Sequence, residues 1–182
     1  RRSSSLDSTS WPFNLGFSFL SWPSWFWVLH VWRAKLGWIP YVVALSHRGV
    51  SMPTTMCGAC NNDEETCDHI LISCPMAKEI MDSILNWCGI GCEKFSSVKY
   101  MLCFISRWSG NKKKQSLLNM ILCGTLWCIW VGRNKRIFEN VYMKSTMIVE
   151  RINALSFIWS RHRTSFKKID WRVWNICFFH CL

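Results

Sequence analysis

Acidic residues are scarce in this chain: 11 Asp and Glu stand against 22 Lys and Arg, and no two aspartates are adjacent. The one acidic run is Asp63-Glu64-Glu65. Two-metal chemistry on phosphates needs clustered carboxylates that hold ions about 3.5–4 Å apart, and no second cluster is evident. Acids do not recur among strand-like segments as a ribonuclease H site would require, and a glycine-rich phosphate cradle is missing. Catalysis by this chain alone is therefore not expected, and a small-molecule substrate is not implied. Also missing are internal repeats, a convincing hairpin and β-branched alternation, so the chain reads as mainly helical. Tyrosine is rare, with 3 residues against 13 Trp and 11 Phe. Such an excess of Trp without obvious order points to weak selection.

The 182 residues suffice for one ordinary domain, or a small domain with appendages. Half of them are hydrophobic, which excludes disorder throughout. The chain starts at Arg1 and not at Met, and is expected to be a fragment. Residues 8–32 carry no charge and are long enough to be tested as a membrane span. Pro12, Pro23, Asn14 and the many Ser argue against it, as does Trp, which prefers the membrane interface. A buried or poorly folded apolar segment is the preferred reading, and neither a membrane span nor a signal peptide is expected.

The formal charge is +11, distributed as +4 over residues 1–56, −6 over 57–93 and +13 over 94–182. A basic C-terminal half suits phosphate contacts, though solvated helix faces explain charge equally well. Eleven cysteines cannot all pair within one chain. Their spacing is not that of a small secreted scaffold, so a reduced, intracellular chain is expected, nucleus or cytoplasm being open.

Two short helices are expected in VWRAKLGWIPYVVALSHRGV (31–50), broken around Gly37 and Pro40 and closed by Gly49. Pro75 opens a helix in which Ile80, Ile84 and Trp87 share a face, and Gly89 ends it. Lys112 to Lys114 read as a charged loop before a long helix over 115–138, apolar nearly all round until Arg133. Ser145 reads as the N-cap of a helix whose buried stripe is Ile148, Ile152, Leu155 and Trp159. The tail from Lys167 has no clear period. His30, His47, His162 and His180 lack local partners and read as structural or exposed.

Residues 57–74, CGACNNDEETCDHILISC, carry the chemistry. Cys57, Cys60, His69 and Cys74 fall at Cys-x2-Cys-x8-His-x4-Cys, a set of soft and borderline donors suited to tetrahedral zinc. A Cys-x2-Cys pair supplies two sulfurs from one tight turn, which Gly58 would ease. Cys74 precedes a helix start, where the dipole favours a thiolate. Four protein ligands leave no open position, so one structural Zn2+ is expected, with Cys67 a rival to His69.

At WRAKLGWIP (32–40), ALSHRGV (44–50), MCGAC (56–60), EETCDHILISC (64–74) and NWCGI (86–90) the chain resembles the zinc-binding domain of plant non-LTR retrotransposon reverse transcriptases. LWCIWVGRNKRIF (126–138) is similar to that family's W..W..RN…F helix. Tyr41 and Trp38 depart from the pattern, which has Thr and a basic residue there. The resemblance implies a small helical domain with a zinc knuckle at 31–90. A basic helical region would follow at 91–182, after a degraded, irregular or poorly ordered segment at 1–30. The parent would be an RNA-directed DNA polymerase. Three readings follow: a non-catalytic module binding RNA or DNA through Arg133, Lys135, Arg136, Arg161 and Arg163; a packing module whose apolar helix at 115–132 docks on the polymerase; or a relic open reading frame without selected activity.

Overall fold

The computed structural model describes residues 25–91, 93–109, 111–163 and 170–176. Seven α-helices and one π-turn make up the regular structure among them, with no strand beyond an isolated Met56–Glu64 bridge. The helices are α1 (Trp25–Lys35), α2 (Val42–His47), α3 (Pro75–Trp87), α4 (Val98–Arg107), α5 (Lys112–Glu139), α6 (Ser145–Arg163) and α7 (Trp171–Ile176). The mainly helical class expected from the sequence is what the chain adopts.

α1 begins at Trp25, within the last residues of the apolar segment read as irregular over 1–30. Trp27, Val31 and Ala34 recur at i, i+4 and i+7 and are buried, which explains why this stretch is helical. Residues 1–24 lie outside those described. Gly37, at φ +67°, ends the helix in a conformation that L side chains rarely adopt.

α5 is the central element. Leu117, Leu118 and all of 121–133 are buried against α1, α3, α4, α6 and the π-turn. By length and composition α5 could cross a membrane, but 78% of its apolar window is covered by the chain's own helices. Its apolar surface is thus a core and not a free docking face. Lys112 to Lys114 belong to its first turn and not to a loop, because the Asn111 side chain accepts from the Lys114 N–H at 2.8 Å.

α6 runs back along α5. Gly124 faces Trp159 and Gly132 faces Ile148, and a Cβ on either glycine would sit 3.0 Å from that neighbour. The expected stripe Ile148, Ile152, Leu155 and Trp159 is buried throughout. Ser145 is the first helical residue rather than the cap, and its hydroxyl donates to Glu79 at 2.6 Å.

Two helices escaped the sequence reading. α4 is capped by Ser97, whose oxygen accepts from the Tyr100 N–H, and buries Val98, Met101 and Ile105. α7 is held by Trp174, which is fully buried. The Trp174 carbonyl accepts from the Trp87 indole at 3.1 Å, and its own indole donates to Asn153 at 3.3 Å.

Candidate metal centre

Two short pieces of backbone present the donors. Cys57 and Cys60 sit in a turn closed by Cys57 N–H to Asp63 O and Asn61 N–H to Cys57 O, both 2.8 Å. The left-handed residue of that turn is Asn61, at φ 55°. Gly58 is not in the positive-φ region and has open space where a Cβ would sit, so its expected role in the turn is corrected. Asn tolerates the conformation because its short polar side chain can bond locally.

His69 and Cys74 return on the π-turn His69–Ser73. Its closing bond runs from Cys74 N–H to His69 O at 2.7 Å, five residues apart instead of the usual four. That wider ring brings residues at x4 spacing toward one side, which a regular α-turn would splay apart. The Thr66 hydroxyl accepts from His69 N–H at 3.2 Å and fixes the entry to the turn. Ile70, Leu71 and Ile72 are buried and anchor it to α3 and α5. Cys74 then opens α3, with Pro75 at the first helical position, where its missing N–H costs nothing.

The four ligand atoms of Cys57, Cys60, His69 and Cys74 all lie within 4.8 Å of one another. Cys60 Sγ is 3.2 Å from His69 Nε2. A zinc tetrahedron with Zn–S about 2.3 Å and Zn–N about 2.0–2.1 Å has edges of about 3.5–3.8 Å, so the donor set fits such an ion. Cys57, His69 and Cys74 are buried, and Cys60 is half-buried.

His69 Nε2 points into the cluster while Nδ1 faces Ser73 Oγ at 3.4 Å and the Asp63 carboxylate at 3.7 Å. Those partners can hold the Nδ1 proton and leave Nε2 as the donor. Backbone N–H groups of Ala59 and Cys60 point at the Cys57 sulfur, and that of Met76 at Cys74. The Cys74 thiol donates to Cys57, which pulls Cys57 well below the ordinary thiol range and pushes Cys74 up.

Cys67 lies away from this set. Its thiol donates to Ala34 O at 3.2 Å, and burial, with Asp68 adding, pushes it up to about 12. The eight cysteines among the described residues are all free.

Two acids near the centre are used in the fold. Glu65 is fully buried, accepts from the Val42 N–H at the start of α2 and forms an ion pair with Arg133 of α5. Asp68 accepts from the Val98 N–H at the start of α4 at 2.9 Å. No spacing rule could reveal the Glu65–Arg133 pair, whose members are 68 residues apart.

That pair corrects one expected nucleic-acid contact. Arg133 is only 5% exposed and its guanidinium is committed to Glu65, lying 5.0 Å over Trp130. Lys135 and Arg136 are half-buried, and Arg136 donates to Ala59 O in the metal turn at 3.4 Å. Arg161 is exposed, with its guanidinium 5.6 Å over Phe157. It lies thirteen residues along α6 from Ile148, about 20 Å from the end near Lys135 and Arg136. The Arg163 side chain lies outside those described. The four cations whose side chains are described therefore do not form one patch.

The four donors form a Cys3His cluster that fits a zinc site in a mainly helical chain. Residues 18–80 match the family described as zinc-binding in reverse transcriptase, and across that stretch the chain carries a reverse-transcriptase-associated zinc-binding module. No curated protein and no solved structure gives a significant match. The family match ends inside α3, so α4 to α7 lie beyond it.

Proposed function

We propose that this chain is part of a retrotransposon RNA-directed DNA polymerase, a zinc-stabilised helical module that binds RNA or DNA and is not catalytic alone. The observation that supports the zinc reading is the gathering of Cys57, Cys60, His69 and Cys74 within 4.8 Å. One Zn2+ held there would contribute folding free energy on the order of 10 kcal/mol, as in zinc-finger peptides. All four positions are taken by protein donors, which suits a scaffold and not a reaction centre. Nucleic-acid binding is supported by the segment 94–138, which holds eight basic residues besides the buried Arg133 and no acid. The free thiols suit a reducing, intracellular compartment.

The direct test is zinc stoichiometry by native mass spectrometry on the full chain and on a Cys57→Ser, Cys60→Ser double variant. One zinc in the parent, none in the variant, and loss of helical signal on chelation are expected. Zinc should also be released by acid, because each thiolate regains its proton. A parent without zinc would sink the ligand assignment.

A second reading keeps the metal site but makes the module a packing piece. α1 favours it: Val28, Trp32 and Leu36 line an exposed apolar face, joined by Trp38, whose ring meets Trp32 at 5.4 Å. In that reading the polymerase covers α1, not α5. Rescue of solubility by a co-expressed polymerase segment, lost in Trp32→Ser, would favour it over nucleic-acid binding.

A further inference from the structure

The α5–α6 corner combines exposed rings with cations beside the metal turn. Phe138 is 73% and Tyr142 62% exposed, the largest exposures among the described large hydrophobic residues. Lys135 and Arg136 precede them and Lys144 follows, against Glu139 and the nearby Glu79 that accepts from Ser145. The Arg136 guanidinium lies 5.1 Å over the Tyr142 ring and also donates to Ala59 O of the metal turn. The rings are presented by a defined turn: Asn140 is left-handed at φ 54°, and the Asn140 and Val141 N–H groups both return to Lys135 O. Burying rings of this size elsewhere would stabilise the fold, yet here they are held out into solvent among positive charges.

We propose that this corner binds unpaired nucleotides, with Phe138 and Tyr142 as stacking surfaces for bases and Lys135, Arg136 and Lys144 taking phosphates. The inference rests on the nucleic-acid reading above and specifies where and in what form the ligand sits. Stacking requires bases whose faces are free, so single strands are the class bound, with little preference among sequences. Duplex, whose faces are stacked internally, should bind here only through its phosphates.

The test is fluorescence anisotropy of the zinc-loaded full chain with a short labelled oligouridylate and with a duplex RNA of equal length. Phe138→Ala and Tyr142→Ala should each weaken single-strand binding by about five- to a hundredfold, while duplex binding changes little. Lys135→Ala should lower the slope of log affinity against log salt by about one. Arg172→Ala serves as the control, because α7 packs through Trp171 on Phe157, twelve residues of α6 and about 18 Å from Ser145 at the corner. Both rings are exposed, so the fold should survive, and Phe138→Leu and Tyr142→Leu keep apolar bulk if the alanine variants unfold. Single-strand binding that persists unchanged in the ring variants overturns the corner and leaves the nucleic-acid reading intact. No binding by the parent even at low salt overturns both. A parent dimer in sedimentation that Phe138→Ala dissociates makes the corner a protein contact and overturns the proposal.

Discussion

His30 shows how one residue can make stability depend on pH. It is buried in α1 with the Trp127 ring edge-on at 5.0 Å and Trp130 at 5.7 Å, and its Nε2 has no hydrogen-bond partner. Burial, reinforced by Arg33, lowers its pKa from 6.5 to about 4. Below 6.5 the unfolded chain takes up a proton that the folded chain refuses, so stability falls as pH drops toward 4 and is fully restored above 6.5. The loss across that window is about 3 kcal/mol. A His30→Phe variant should flatten that part of the curve, and subtracting its urea midpoints from the parent's separates the effect from zinc release. Equal slopes in both proteins would refute the assignment. The motif at 57–74 was legible because ligand spacing is local. His30 was read only as a histidine without a nearby partner, since Trp127 and Trp130 come from a helix about a hundred residues on.

Helix contacts depend on what is missing as much as on what is present. Glycine inside a helix costs roughly 1 kcal/mol relative to alanine, yet α5 carries Gly124 and Gly132 where α6 comes closest. Gly132 meets the far end of Ile148, a methyl that can turn aside, whereas Gly124 meets the Trp159 ring, which also packs against Trp27. Gly124→Ala should therefore destabilise by about 1–3 kcal/mol through overpacking, while Gly132→Ala should be near neutral, its propensity gain offsetting a small shift. Thermal melts of the two variants decide it, and a more stable Gly124→Ala would show that the helices part easily. At this scale α2, α3, α5 and α6 were readable because proline, glycine and the 3.6-residue period mark them. α4 carried a comparable signal in Ser97 with Val98, Met101 and Ile105, but its start depends on Asp68 from the metal loop. α7 is six residues long and exists through Trp174, so its evidence is tertiary.

For the molecule as a whole, the ion pair between Glu65 and Arg133 joins the metal loop to the central helix. Removing one partner leaves an uncompensated charge in the interior and should cost about 3–5 kcal/mol. Replacing both, as Glu65→Gln with Arg133→Met, should recover much of that loss. Urea unfolding of the two single variants and the double variant measures the coupling, and strictly additive losses would mean that the pair is not a unit. The pair places one of the seven acids of residues 57–93 in the interior. Glu65 and Asp68 hold the starts of α2 and α4, so part of that acidic charge has a role in the fold.

The family match stops at residue 80, but the carboxylate at position 65 finds its counter-charge at position 133. A piece of the chain cut at the end of the match would sever α3 within its second turn and leave Glu65 facing an empty side of the domain. The matched stretch and the folding unit have different lengths.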